Sequence, residues 1–147
     1  METALKIIPL IFATFGGIWA ILTYRKSNKI KAAEIFYNLE NNFRQHISIL
    51  LEIEYEKDYQ DKIVRAIHSV ENNSTKKEDD ETIEKLDGML RHFHTCFFIK
   101  KLRVDNGMLD DAYAYYLKLF VRKDRTELER YVAKYWKSVY SWASFYK

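Results

Sequence analysis

Helix breakers are scarce in this 147-residue chain: Pro9 is its only proline, and it has four glycines. That scarcity argues against a turn-rich chain of short strands and favours long, uninterrupted helices. Cysteine is nearly absent as well. Cys96 stands alone, so no internal disulfide can form, which suits a reducing cytoplasm, and its place among aromatics in HFHTCFF reads as core filling. A strong charge bias is missing too, with 24 basic against 21 acidic residues. Also missing are a glycine-rich phosphate loop, a GxSxG elbow, an HExxH helix and paired carboxylates in a setting for acid–base work. These absences remove the warrant for an enzyme, a cofactor or a small-molecule ligand.

The strongest positive feature is the run at residues 4–24, ALKIIPLIFATFGGIWAILTY, whose only charge is Lys6. As a helix it would extend roughly 31 Å, the thickness of a bilayer's hydrocarbon core. A cleavable signal peptide fits less well, because Glu2 offsets the positive start, the run is long, and no small-x-small site precedes Arg25. Arg25, Lys26, Lys29 and Lys31 follow directly, and basic residues beside a span are retained on the cytoplasmic side. The expectation is a single-pass inner-membrane protein with its N-terminus outside and its C-terminal domain cytoplasmic. Those four side chains would meet anionic lipid. Ala13, Gly16, Gly17 and Ala20 share one helix face, where small residues allow two spans to pack closely, so homo-oligomerisation or pairing with another membrane protein is expected.

The basic excess belongs to this segment. Residues 1–31 carry +4 and residues 32–147 carry −1, so the pI near 8.8 gives no reason to expect nucleic acid. Within the domain, residues 32–98 carry −6 and residues 99–147 carry +5.

Two segments divide the chain: the anchor with its basic flank at 1–27 and an α-helical domain at 28–147. Apolar positions recurring every three or four residues predict about five cytoplasmic helices, making the fold class all-α with one N-terminal transmembrane helix. The first, 28–56, would bury Phe36, Leu39, Phe43, Ile47, Leu50 and Ile53 and could continue from the span. A second covers 59–70. Residues 71–81, ENNSTKKEDDE, have no apolar side chain and read as a loop. A third helix should start near Asp80 as its cap, bury Ile83, Leu86, Leu90, Phe93, Phe97 and Val104, and end at Asn106 and Gly107. A fourth should begin at about Asp110, with Leu109 just outside the cap. The fifth should start with an Asp124–Glu127 capping box and run to about Phe145.

The order of parts, a span followed by RKSNKIKAAEIFYNLE and then LRHFHTCFFIKKLRVDNGMLDDAYAYYLKLF, resembles the small membrane-anchored helical families of unknown function found in many bacteria. The sharpest local element is an aromatic helix ending in a glycine turn and an acidic cap: Phe93, Phe97, Gly107, Leu109 and Asp110. Relatives would be expected to carry an acid within that helix, where this chain has His92, His94 and Cys96. The resemblance implies the architecture and no activity.

Within that helix His92 and Cys96 share a face at i, i+4 and are the only weak candidates for metal ligation. No spacing supplies a third and fourth ligand, so no metal site is expected. DNGMLDDAY, residues 105–113, lacks the alternating oxygen ligands of a calcium loop. The C-terminal aromatics spread around a single helix instead of forming one stripe. Trp136, Tyr140, Trp142 and Tyr146 are therefore candidates for a partner or membrane-interface surface. Together these features point to a membrane-anchored scaffold or adaptor acting by protein–protein contact and self-association. The alternatives are a membrane-acting toxin or defence component with oligomerising spans, and an enzyme of unfamiliar site around His92 and Cys96.

Overall fold

The computed structural model describes residues 2–73, 76–102 and 107–147, with the side chains of 2–18 and 21 excepted. The described chain is all-helical. Helix α1 spans Glu2–Glu54, so the apolar run and the first amphipathic segment belong to one helix. After Tyr55, α2 (Glu56–Asp58), a π-helical turn (Tyr59–Val64) and α3 (Arg65–Glu71) follow without a break in direction of winding. Then come α4 (Lys77–Lys101), α5 (Met108–Leu119), α6 (Thr126–Tyr135), α7 (Lys137–Ala143) and a 3-10 turn, Ser144–Tyr146.

Two units are distinguished. The first, through Asn38, is helical at every described residue. Its large apolar side chains Trp19, Leu22, Tyr24, Ile30 and Tyr37 are all exposed. The second, Leu39–Lys147, holds the core. No described helix is long and apolar enough to cross a membrane. Most of the run at 4–24 lies outside the residues whose side chains are described, as do Ala13, Gly16 and Gly17; Ala20 is exposed.

In the second unit, α1 and α4 pack antiparallel. Asn42 meets His92 and Phe43 meets Phe93, while a Cβ on Gly88 would lie 2.7 Å from the His46 ring. Glycine at 88 thus permits the close approach of the two helices. Leu39, Phe43, Leu50 and Ile53 are buried as their spacing predicts, but Ile47 is turned outward and Ile49 takes an inward position. The reason is angular: Ile49 lies four residues from Ile53, on the flank of the buried strip that the core covers, whereas Ile47, four residues from Phe43 and three from Leu50, lies at the opposite edge.

The helix starts differ from the sequence reading because their carboxylates serve tertiary contacts. Helix α4 begins at Lys77, with Lys76 at its N-cap and no side-chain cap. Asp79, within the expected loop, is buried and accepts hydrogen bonds from Arg65 Nε and Ser69 Oγ, each at 2.7 Å. Docking onto α3 fixes this turn, and Glu78, Asp79 and Asp80 complement the helix dipole. The expected loop at 71–81 is correspondingly shortened, since Glu71 ends α3.

Helix α4 closes at Lys101, before Asn106, which lies outside the described residues along with Val104. Gly107, with φ of 85°, instead opens α5, its carbonyl accepting from the backbone N–H groups of Asp110 and Asp111. Leu109 is therefore inside the helix and buried. The Asp124–Glu127 capping box does not form. Asp124 pairs with Arg122 and Arg125, and Arg125 occupies the N-cap of α6. The final helix breaks at Trp136, whose φ of −128° and ψ of 55° separate α6 from α7.

Candidate functional site

Among the described residues of the Leu39–Lys147 unit, the chemistry-bearing side chains gather in four clusters and beside two open grooves. The first cluster surrounds His92, which α4 turns into the core against Phe43, Phe93 and Tyr113. Its Nδ1 lies 3.2 Å from Asn42 Oδ1 and its Nε2 3.4 Å from Cys96 Sγ. Burial disfavours the imidazolium, as does the neighbouring His46, and together they push His92 down to about 4. The structure thus brings His92 and Cys96 together, as their i, i+4 spacing predicts. Among the described residues, no group of three or more His, Cys, Asp or Glu could hold a metal ion. His92 is a neutral, hydrogen-bonded core residue at physiological pH. Burial also raises the Tyr113 phenol beside it.

The second cluster centres on Asp110. Lys100 Nζ lies 2.5 Å from both its oxygens, while Trp142 Nε1 and Tyr146 OH donate to Oδ1 at 2.7 and 2.5 Å. Burial alone would raise the carboxyl, but the donors, led by Lys100, hold it below the usual carboxylate range. Burial and the hydrogen bond to Asp110 push the Tyr146 phenol up to about 12. Asp87 forms a third cluster, accepting from Tyr131 OH at 2.9 Å and Trp136 Nε1 at 3.0 Å.

These clusters account for the C-terminal aromatics. Trp142 is buried, and the polar ends of Trp136, Tyr140 and Tyr146 all meet internal carboxylates, Tyr140 reaching Glu129. The break at Trp136 gives α6 and α7 separate inward faces. Aromatics that look scattered around one helix are therefore largely gathered against the core. Phe145, by contrast, is 81% exposed.

The fourth cluster is built on Arg125, a residue the sequence reading did not single out. Its side chain is 1% exposed and lies over the Tyr59 ring at 4.3 Å. Nε donates to Ile53 O at 3.1 Å, one terminal nitrogen to Glu54 O at 3.3 Å, and the other to Glu56 and Asp124. Arg125 therefore satisfies carbonyls at the end of α1 that no further helical turn can serve. Its only sequence signal is the dense run of charges RKDR, which looks like a solvated surface.

The grooves offer less. One, of about 460 Å³, is lined by Gln60, Arg65, His68, Ser69 and Asp79, but Arg65 and Asp79 are committed to each other. The second, of about 430 Å³, lies beside His94, Lys134, Trp136 and Ser138. His94 Nδ1 and Ser138 Oγ are 2.5 Å apart, the separation of a base and a nucleophile. Among the described residues, however, no carboxylate hydrogen-bonds that imidazole. Arg25, Lys26, Lys29 and Lys31, the side chains expected to contact anionic lipid, are exposed.

No protein-family model, curated protein or solved structure matches this chain.

Proposed function

We propose that this protein is a single-pass membrane-anchored helical adaptor that works through protein–protein contact and self-association, presenting its C-terminal unit on the cytoplasmic side. The observation that carries this reading is the run at 4–24, with one charge, followed at once by Arg25, Lys26, Lys29 and Lys31, all exposed, ahead of a unit that packs only from Leu39 onward. The chemistry of the packed unit supports binding over catalysis, because Asp79, Asp87, Asp110 and Arg125 each spend their charge on internal partners.

The test expresses the full chain with a C-terminal epitope. On the adaptor reading it stays with membranes through an alkaline carbonate wash, protease added to intact cells spares the epitope, and a differently tagged second copy co-purifies. Release into the wash overturns the anchor, loss of the epitope overturns the orientation, and failure to recover the second copy overturns self-association.

A further inference from the structure

The break between α6 and α7 gathers side chains that one continuous helix would scatter. At about 100° per residue, Lys134 and Trp136 would stand roughly 160° apart on an unbroken helix. With the break, both line the groove of about 430 Å³, together with His94, Tyr135, Lys137 and Ser138. None of the six is acidic. The two lysines are exposed and largely uncommitted. Lys100, Arg122, Arg125, Arg130 and Lys147 each pair with a carboxylate. Lys137 has no ion pair among the described residues, and Lys134 reaches only Glu71, at 4.0 Å, a carboxylate that Arg130 already holds at 2.8 Å.

Beside the lysines, His94 Nδ1 and Ser138 Oγ lie 2.5 Å apart. Either neutral tautomer leaves this pair one donor to spare. If Ser138 donates, His94 Nε2 keeps its hydrogen, and if Nδ1 donates, the Ser138 hydroxyl hydrogen is free. The aromatic wall is held in place, since Trp136 Nε1 donates to Asp87 at 3.0 Å. Asp87 itself does not line the groove, and its charge is also met by Tyr131.

We propose that this groove binds a phosphomonoester. Two ammonium groups balance a charge close to −2, and with the donor left on the His94–Ser138 pair they match three terminal oxygens. A carboxylate has half that charge and one oxygen fewer. Trp136 and Tyr135, the latter 48% exposed, supply aromatic surface for the esterified group. A soluble phosphate ester and a phosphatidic acid headgroup share this chemistry. The groove lies within the Leu39–Lys147 unit, so the site stands or falls independently of the proposed anchor.

The test titrates phenyl phosphate into the full chain in dodecyl maltoside by calorimetry at low salt and pH 7.5, where the phosphate is largely doubly charged. One molecule should bind per chain. Lys134→Gln and Lys137→Gln should each weaken binding about tenfold, the loss of one charge-assisted hydrogen bond. His94→Phe combined with Ser138→Ala, which removes the third donor, should weaken it several-fold with helicity unchanged. Lys123→Gln makes the same change of net charge at an exposed position outside the groove and should leave binding intact.

The site is overturned if phenyl phosphate fails to saturate the chain by about 10 mM, or if Lys123→Gln weakens binding as much as Lys137→Gln. Benzoate binding as tightly as phenyl phosphate overturns the phosphomonoester. Competition then separates the sources. Dihexanoyl phosphatidic acid displacing phenyl phosphate at lower concentration than glycerol 3-phosphate supports the site with a lipid headgroup as its ligand, and the reverse order supports it with a soluble ester.

Discussion

Lowering the pH from 7.5 to 5 should cost this fold about 2 kcal/mol through His92 alone. The imidazole is 3% exposed, and its pKa drops from 6.5 to about 4 because burial, reinforced by His46, penalises the charged form. The folded state therefore binds fewer protons than the unfolded chain between those two values, and stability must rise with pH across that window. With the unfolded value at 6.5, the loss grows as pH falls through 6.5 and levels off near 4. The full shift corresponds to about 3 kcal/mol. The lowered carboxyls Asp79 and Asp110 act in the same sense but lower on the scale, since their contributions disappear only as the pH falls below about 4.

The assay is thermal unfolding of the full chain in detergent, followed by circular dichroism at half-unit steps from pH 7.5 to 4.5, beside His92→Gln. The wild type should lose roughly 4–8 °C by pH 5. The variant starts less stable and should follow a flatter curve over the same range. Parallel curves for the two proteins would refute the claim that His92 is held neutral by burial.

Two further perturbations address the backbone. Arg125→Met should lower unfolding free energy by about 2–3 kcal/mol in urea titrations, because the Ile53 and Glu54 carbonyls lose their donor and Tyr59 its stacked guanidinium. A loss under about 0.5 kcal/mol would show that the cap is dispensable. Gly107→Ala places a Cβ in open space but on a backbone at φ of 85°. The strain alone should cost about 1 kcal/mol by the same titration, and a neutral result would mean that α5 can begin without the left-handed turn.

The helical class is legible from composition and period, because few residues in this chain can stop a helix. The inward set Leu86, Leu90, Phe93, Leu117, Leu128 and Val132 follows from spacing alone. The boundaries do not, since they turn on carboxylates whose partners are remote. Asp79 looks like loop but is bound by Arg65, fourteen residues away, and Asp110 looks like a cap but collects Lys100, Trp142 and Tyr146. The break at Trp136 is equally hidden, because no glycine or proline marks it. Asp87, on α4, receives both Tyr131 and Trp136. Ile47 shows how an apolar side chain at nearly the right interval can still face outward when its neighbour Ile49 sits closer to the centre of the buried strip.

The contact between Arg125 and Ile53 also imposes an order of events during synthesis. It joins residues 72 apart, so the carbonyl end of α1 must wait for that length of chain to leave the ribosome, about 4–14 s at ordinary translation rates. Through that interval Ile49, Leu50 and Ile53 have no completed core to enter. Any factor that shields apolar helices on nascent chains has its opening then, and that opening closes when Arg125 arrives.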